Sequence, residues 1–217
     1  MTAAPPDSLV MEGARSLEVR WIFPGKLETA VARWFGRFPA RMESREDTYL
    51  LAPHLPGLSV KVRAGAALEV KMYRGSPGIF NLAGRARGRM ESWQKWSFPC
   101  GPPSQDSTEV AGCVPVGKTR RISQFSRAGD LLRARGLGGE PGCAVELTEI
   151  STRGKVWWSL GFEATGPAKL LRSELEATAA LVFTQALPGG VELRTDDSRS
   201  YAGWLRSQPL AGHGTGA

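Results

Sequence analysis

Charged side chains alternate with apolar ones between residues 58 and 71, and this pattern is typical of half-buried strands. Ser59, Lys61 and Arg63 share one face of the first predicted strand, and Glu69 and Lys71 share one face of the next. Clustered lysine and arginine side chains between low-dielectric walls focus an electric field and attract anions. The stretch therefore indicates an anion-binding interior if these faces converge inside a barrel. On an ordinary sandwich the same faces would simply be solvated.

The same alternation recurs on three other segments of the chain. Glu18 and Arg20 share a face with Ser16, Lys118 shares a face with Arg120, and Glu146 shares a face with Thr148. A charged face repeated on strand after strand is unusual, and it leaves open whether these faces converge in a common interior or are separately solvated. Buried acids in such an interior would also act as countercharges that keep neighbouring cations apart.

The elements that position these side chains are mainly strands. Besides a hairpin at residues 58–72, we predict strands at 15–23, 45–51, 85–98, 114–125, 142–151, 155–165 and 191–195. Helical spacing of apolar residues and proline punctuation predict helices at 26–38, 168–186 and 198–205. The loops at 74–84, 99–113 and 126–141 receive no functional assignment.

Composition sets the class of protein. The 217 residues fit one domain at 15–206, between a disordered arm at 1–14 and a disordered tail at 207–217. The net charge of +7 indicates an acidic partner, either a phosphorylated small molecule, polyphosphate or nucleic acid. Three cysteines without a CxxC pair argue against a zinc site, and only a Cys100–Cys113 disulfide stays open. Without a signal peptide or a membrane span, we expect a cytoplasmic protein with no membrane partner.

The order of these motifs resembles the CYTH superfamily, the triphosphate tunnel proteins. An opening Glu-x-Glu-x-Lys strand is matched by residues 16–20, and an Arg-x-Arg strand by Lys61-Val62-Arg63. The other matching segments are residues 46–50, Glu69-Val70-Lys71, 118–121, 146–148, 159–163 and the closing 200–205. The resemblance covers most of residues 15–206, so we identify the chain as a divergent relative of this superfamily.

This resemblance implies an α+β fold, an eight-stranded antiparallel β-barrel forming a tunnel, with helices packed outside. It implies a phosphate-binding set of Arg20, Lys61, Arg63, Lys71, Lys118 and Arg120. It also implies that Mg²⁺ or Mn²⁺ is held by Glu18, Glu146 and Glu163, with Glu69 and Glu91 as further candidates. The expected activity is metal-dependent hydrolysis of a triphosphate, whether inorganic triphosphate, thiamine triphosphate or a nucleoside triphosphate.

The acidic half of the pattern is incomplete. Ser16 replaces the first acid of the opening motif, Thr148 replaces an expected aspartate, and Gly161 lies where the last acidic strand would add to Glu163. The basic set is nearly complete, with Arg20 in place of the usual lysine. The alternative function is therefore a non-catalytic module that binds polyphosphate or an organic phosphate. A nucleic-acid binder that uses the same positive surface is a weaker alternative, and the sequence leaves the choice between enzyme and binding module open.

Overall fold

Eight antiparallel strands form a closed barrel in this computed structural model, which describes residues 13–100, 112–126 and 142–208. The ten strands in chain order are β1 (Ala14–Pro24), β2 (Arg41–Leu50), β3 (Leu58–Arg63), β4 (Ala67–Gly75), β5 (Ile79–Leu82), β6 (Ala86–Arg89), β7 (Glu91–Pro99), β8 (Cys113–Phe125), β9 (Gly142–Thr152) and β10 (Lys155–Thr165). The barrel order is β1-β10-β9-β8-β2-β3-β4-β7, and β7 closes the barrel on β1. The predicted α+β barrel is confirmed.

Three α-helices accompany the barrel in the described residues: α1 (Thr29–Phe35), α2 (Leu171–Val182) and α3 (Tyr201–Ser207). The main hydrophobic core lies between α1, α2 and the outer face of β1, β9 and β10. Leu17, Val19 and Trp21 alternate along β1 and are buried in this core. Because successive strand residues point to opposite faces, burying this set outside directs Glu18 and Arg20 into the barrel.

A second apolar cluster fills one end of the barrel. Ile22, Val116 and Ile150 belong to it, and each lies on the inward face of its strand. Trp204 and Leu205 of α3 pack into the same cluster. The helix is also tied to the rim, because the guanidinium of Arg206 donates hydrogen bonds to the carbonyl oxygens of Pro56 and Leu58. Helices α1 and α2 therefore pack outside as predicted, whereas α3 closes one end.

Some predicted elements are wrong in extent. The predicted strand at 85–98 is two strands, interrupted at the fully buried Met90. Strand β6 pairs only with β5 and packs over β1, where the indole of Trp21 donates to the carbonyl of Arg87. Strand β7 instead belongs to the barrel, so one continuous strand could not serve both sheets. The predicted loop at 74–84 contains β5, and the predicted strand at 191–195 contributes only a bridge from Leu193.

Both long helices are shorter than predicted. At α1, Glu28 still has extended backbone angles, and Gly36 ends the helix. At the other end of the chain, α2 begins four residues after Pro167 and ends at Val182. Cys100, Cys113 and Cys143 are all free thiols, so the disulfide left open by the sequence does not form. No helix in the described ranges is long and apolar enough to cross a membrane. The predicted terminal arm and tail, and most of the loops at 99–113 and 126–141, lie outside the described residues.

Candidate functional site

The barrel encloses a cavity of about 380 Å³. Every barrel strand contributes side chains to its wall, and its floor is formed by the N-cap residue Ser200 with Tyr201 and Ala202 of α3. All nine predicted site residues line it: Glu18, Arg20, Lys61, Arg63, Lys71, Lys118, Arg120, Glu146 and Glu163. The predicted site residues therefore lie together around one cavity, and their roles as phosphate or metal ligands stay predictions.

Basic side chains dominate this cavity. Nine of its lining residues are lysine or arginine, and four are glutamate. Sequence reasoning did not single out Arg41, Arg45 and Lys95 as binding residues. A signal existed for the first two, because Arg41, Glu43, Arg45 and Asp47 alternate along β2, but the predicted strand began only at residue 45. Glu43 and Asp47 pair with basic residues of the wall, and the basic side chains remain in excess.

Asp47 organises one part of the wall. Its carboxylate is fully buried and accepts hydrogen bonds from Lys61 Nζ at 2.9 Å, Lys118 Nζ at 3.0 Å and Arg45 Nε at 2.9 Å. Lys118 Nζ also lies 2.7 Å from the hydroxyl of Tyr49. Burial alone would raise the pKa of Asp47, but the neighbouring positive charges of Lys118, Lys61 and Arg45 hold it well below its usual range.

Glu146 is at the centre of a second group of ion pairs in the cavity wall. Its carboxylate is buried and forms ion pairs with Arg20, at 3.2 Å, and with Arg120. Arg20 also lies over the ring of Tyr201, 4.5 Å from its centroid. A Cβ atom at Gly161 would be only 2.8 Å from the guanidinium carbon of Arg20. The guanidinium therefore fills the space that a side chain at position 161 would need.

Lys71 is at the centre of a third group of ion pairs in the cavity wall. Its ammonium lies 2.6 Å from Glu18 Oε1 and 3.2 Å from Glu163 Oε1, and these two glutamates are paired residues of β1 and β10. Ser16 Oγ donates a hydrogen bond of 2.9 Å to the same oxygen of Glu18. Burial would lower the pKa of Lys71, but the charges of Glu163 and Glu18 raise it above its ordinary value. Lys71 is therefore a charged ammonium held between two carboxylates.

The three predicted metal ligands do not come together. Glu146 is occupied by two arginines, while Glu18 and Glu163 enclose an ammonium. Across residues 13–100, 112–126 and 142–208, no group of three or more histidine, cysteine, aspartate or glutamate side chains could hold a metal ion. Thr148 adds no carboxylate, and its buried hydroxyl has no hydrogen-bond partner in the described part of the chain. This arrangement does not fit Mg²⁺ or Mn²⁺, and metal binding by these glutamates stays a prediction from the resemblance alone.

Comparison with known proteins gives structural likenesses only. No protein-family model and no curated protein matches the chain. The barrel is similar to the mimivirus capping-enzyme triphosphatase, with 12% identity over 79% of this chain and 90% of that chain, and a TM-score of 0.42. It is also similar to a protein of Pyrococcus horikoshii OT3, with 15% identity over 87% and 98% of the two chains and a TM-score of 0.45. A third likeness is to the Mediator head module structure of Schizosaccharomyces pombe, with 10% identity over 78% and 93% and a TM-score of 0.45. At these identities and scores the likenesses do not assign a function, which has to come from the site itself.

The pairing of Asp47 predicts a loss of stability in acid. A carboxyl group whose pKa is lower in the folded than in the unfolded state stabilises the fold at any pH above its unfolded-state pKa. This contribution disappears as the pH falls through the folded-state pKa. Burial alone would raise the pKa of Glu69, but the positive charge of Lys61 lowers it to about 2. We therefore expect the free energy of unfolding to decline as the pH falls from about 4 toward 2.

Replacing Asp47→Asn should lower the free energy of unfolding by about 3–5 kcal/mol at neutral pH, because the buried cations lose their partner. The acid decline should also become shallower. Urea unfolding at several pH values measures both effects, with Glu46→Gln, an exposed neighbour on β2, as the matched control. Equal stability of the two variants at neutral pH would contradict this account of Asp47.

Proposed function

We propose that the barrel interior binds a linear polyanion of the triphosphate class. The observation that carries this proposal is the convergence of nine basic side chains, from six of the eight barrel strands, on one cavity that is closed at the α3 end. A positive cavity with low-dielectric walls concentrates anions far more strongly than the same charges on an open surface. We also infer that the chain is a divergent CYTH superfamily member, which its motif order and closed barrel support.

The depth of the basic residues supports a linear ligand. The exposed fraction of the side chain differs widely among these residues: it is 33% for Arg63, 20% for Lys71, 13% for Lys61, 11% for Arg120, 6% for Arg20 and 2% for Lys118. These residues therefore present positive charge from the accessible part of the cavity to its floor. A compact anion would contact only part of this series, whereas a chain of phosphates could contact it along its length.

Binding at this site is an exchange of partners. Asp47 and Glu146 already neutralise the deepest cations, so a phosphate must compete with these carboxylates or use donors that they leave. A guanidinium has five N–H donors, and Arg20 and Arg120 can hold a carboxylate and a phosphate together. The excess of positive charge favours the ligand, and we expect binding to weaken as the salt concentration rises.

Hydrolysis makes a further demand on the site. Phosphoryl transfer needs neutralisation of the transferred group and an oriented water molecule. The cations supply the first requirement. For the second, the metal-binding carboxylates implied by the resemblance are engaged with cations, so the metal-dependent triphosphatase predicted from the sequence stays a prediction.

Phosphate release distinguishes a triphosphate-binding module from a triphosphatase. The purified protein is incubated with inorganic triphosphate or ATP and with Mg²⁺ or Mn²⁺, and released phosphate is measured over time. We expect binding without multiple turnover. Sustained metal-dependent release that Glu163→Gln abolishes would establish the triphosphatase instead.

A separate competition experiment tests nucleic-acid binding. RNA is bound to the protein and inorganic triphosphate is added, and incomplete displacement of the RNA would point to a separate nucleic-acid site.

Neighbouring arginines on β8 provide a direct test of the binding site. Arg120 lies in the cavity, whereas Arg121 points outward and pairs with Glu149. Replacing Arg120→Gln should weaken triphosphate binding about 10- to 100-fold, the effect of losing one or two hydrogen bonds to a charged group. Calorimetric titration with inorganic triphosphate measures this change. Arg121→Gln is the matched control and should bind triphosphate like the unmodified protein. An equal loss of affinity in both variants would show that triphosphate does not bind in the cavity.

A further inference from the structure

The ammonium of Lys71 lies at the point where two carboxylates from adjacent strands converge. Its distances to Glu18 Oε1 and Glu163 Oε1, 2.6 Å and 3.2 Å, are those of direct charge-assisted hydrogen bonds. A divalent ion between the same oxygens would have to displace this ammonium, because hard cations require the carboxylate oxygens themselves. The carboxylate pair Glu18 and Glu163, which face each other across β1 and β10, is thus already bridged by a cation of the chain.

Arg20 has the corresponding position at the third glutamate. Its guanidinium lies 3.2 Å from Glu146 Oε2 and covers the backbone at Gly161. Together with Arg120, which also pairs with Glu146, these three glutamates are thus paired with three cations of the chain, from β1, β4 and β8. Their positive charge does the neutralising work that a metal ion would otherwise have to do for these carboxylates.

We propose that Lys71, supported by Arg20, takes the place of a divalent cation, so that the cavity holds its polyanion without a metal. This inference rests on the proposed function for its ligand, but not for its geometry. An ammonium has three N–H donors, and two are used by Glu18 and Glu163 among the described contacts. Because Lys71 lines the cavity, the third can reach a phosphate oxygen. Lys71 then connects carboxylates to phosphate, which is the bridging role that a metal has between protein and nucleotide.

Metal binding in the absence of ligand tests this proposal. The protein is titrated with Mn²⁺ alone, and free Mn²⁺ is followed by electron paramagnetic resonance. We expect no specific site in the unmodified protein up to ~1 mM, the weak end of ordinary oxygen-ligand sites. Replacing Lys71→Met leaves Glu18 and Glu163 facing each other without their cation, and should raise Mn²⁺ affinity about 10- to 100-fold, as expected for removal of one adjacent positive charge.

Lys95→Met is the matched control, because Lys95 lines the same cavity opposite Lys71 in the β4–β7 pairing. It should gain no Mn²⁺ site, and adding Glu163→Gln to Lys71→Met should abolish the gained site. A Mn²⁺ site in the unmodified protein that Glu163→Gln removes would overturn the proposal, as would equal Mn²⁺ affinity of the two lysine variants.

Two further measurements keep the result interpretable. If Lys71→Met is unstable, Mn²⁺ should raise its melting temperature and leave that of Lys95→Met unchanged. Separately, inorganic triphosphate is titrated into the unmodified protein in EDTA. Binding in EDTA supports the inference, and binding only with added metal contradicts it. If triphosphate does not bind in either condition, the proposed function fails, whereas the Mn²⁺ comparison still decides the role of Lys71.

Discussion

Pairing of opposite charges inside the barrel is the constraint on which the other features of this molecule depend. A buried carboxylate without a partner costs several kcal/mol, so each acid that faces inward needs a cation from another strand. Glu146 obtains Arg20 and Arg120, Asp47 obtains Lys61 and Lys118, and the glutamates of β1 and β10 share Lys71. These pairs join strands of the barrel wall and fix the positions of the cations around the cavity.

The apolar parts of the fold give these charges their strength. The core beneath α1 and α2 covers β1, β9 and β10 from outside, and the cluster around Trp204 and Leu205 fills one end of the barrel. Water is thereby excluded from two sides of the charged layer, and electrostatic interactions there are stronger than on an exposed sheet. The same closure gives the predicted tunnel barrel a floor at one end, which α3 makes.

The sequence predicts much of this architecture because strand periodicity is local. Alternation at Glu18 and Arg20, or at Lys118 and Arg120, shows which residues share a face without any knowledge of their partners. The pairings themselves depend on strand register over long separations, such as the 53 residues between Glu18 and Lys71, and no local pattern reports them. The three glutamates that the resemblance implies as metal ligands do line the cavity, but the resemblance could not show that arginine and lysine are paired with them. The extra residues of β2 had a readable pattern, whereas the closing position of α3 depends on tertiary packing alone.

The most direct test of the central claim is a crystal structure of the protein soaked with inorganic triphosphate in the presence of EDTA. The account predicts elongated density inside the barrel, between the floor at Tyr201 and the more exposed Arg63, with phosphate oxygens in contact with Arg120 and Lys71. Triphosphate bound only on the outer surface, or bound in the cavity only when a divalent metal is supplied, would contradict it.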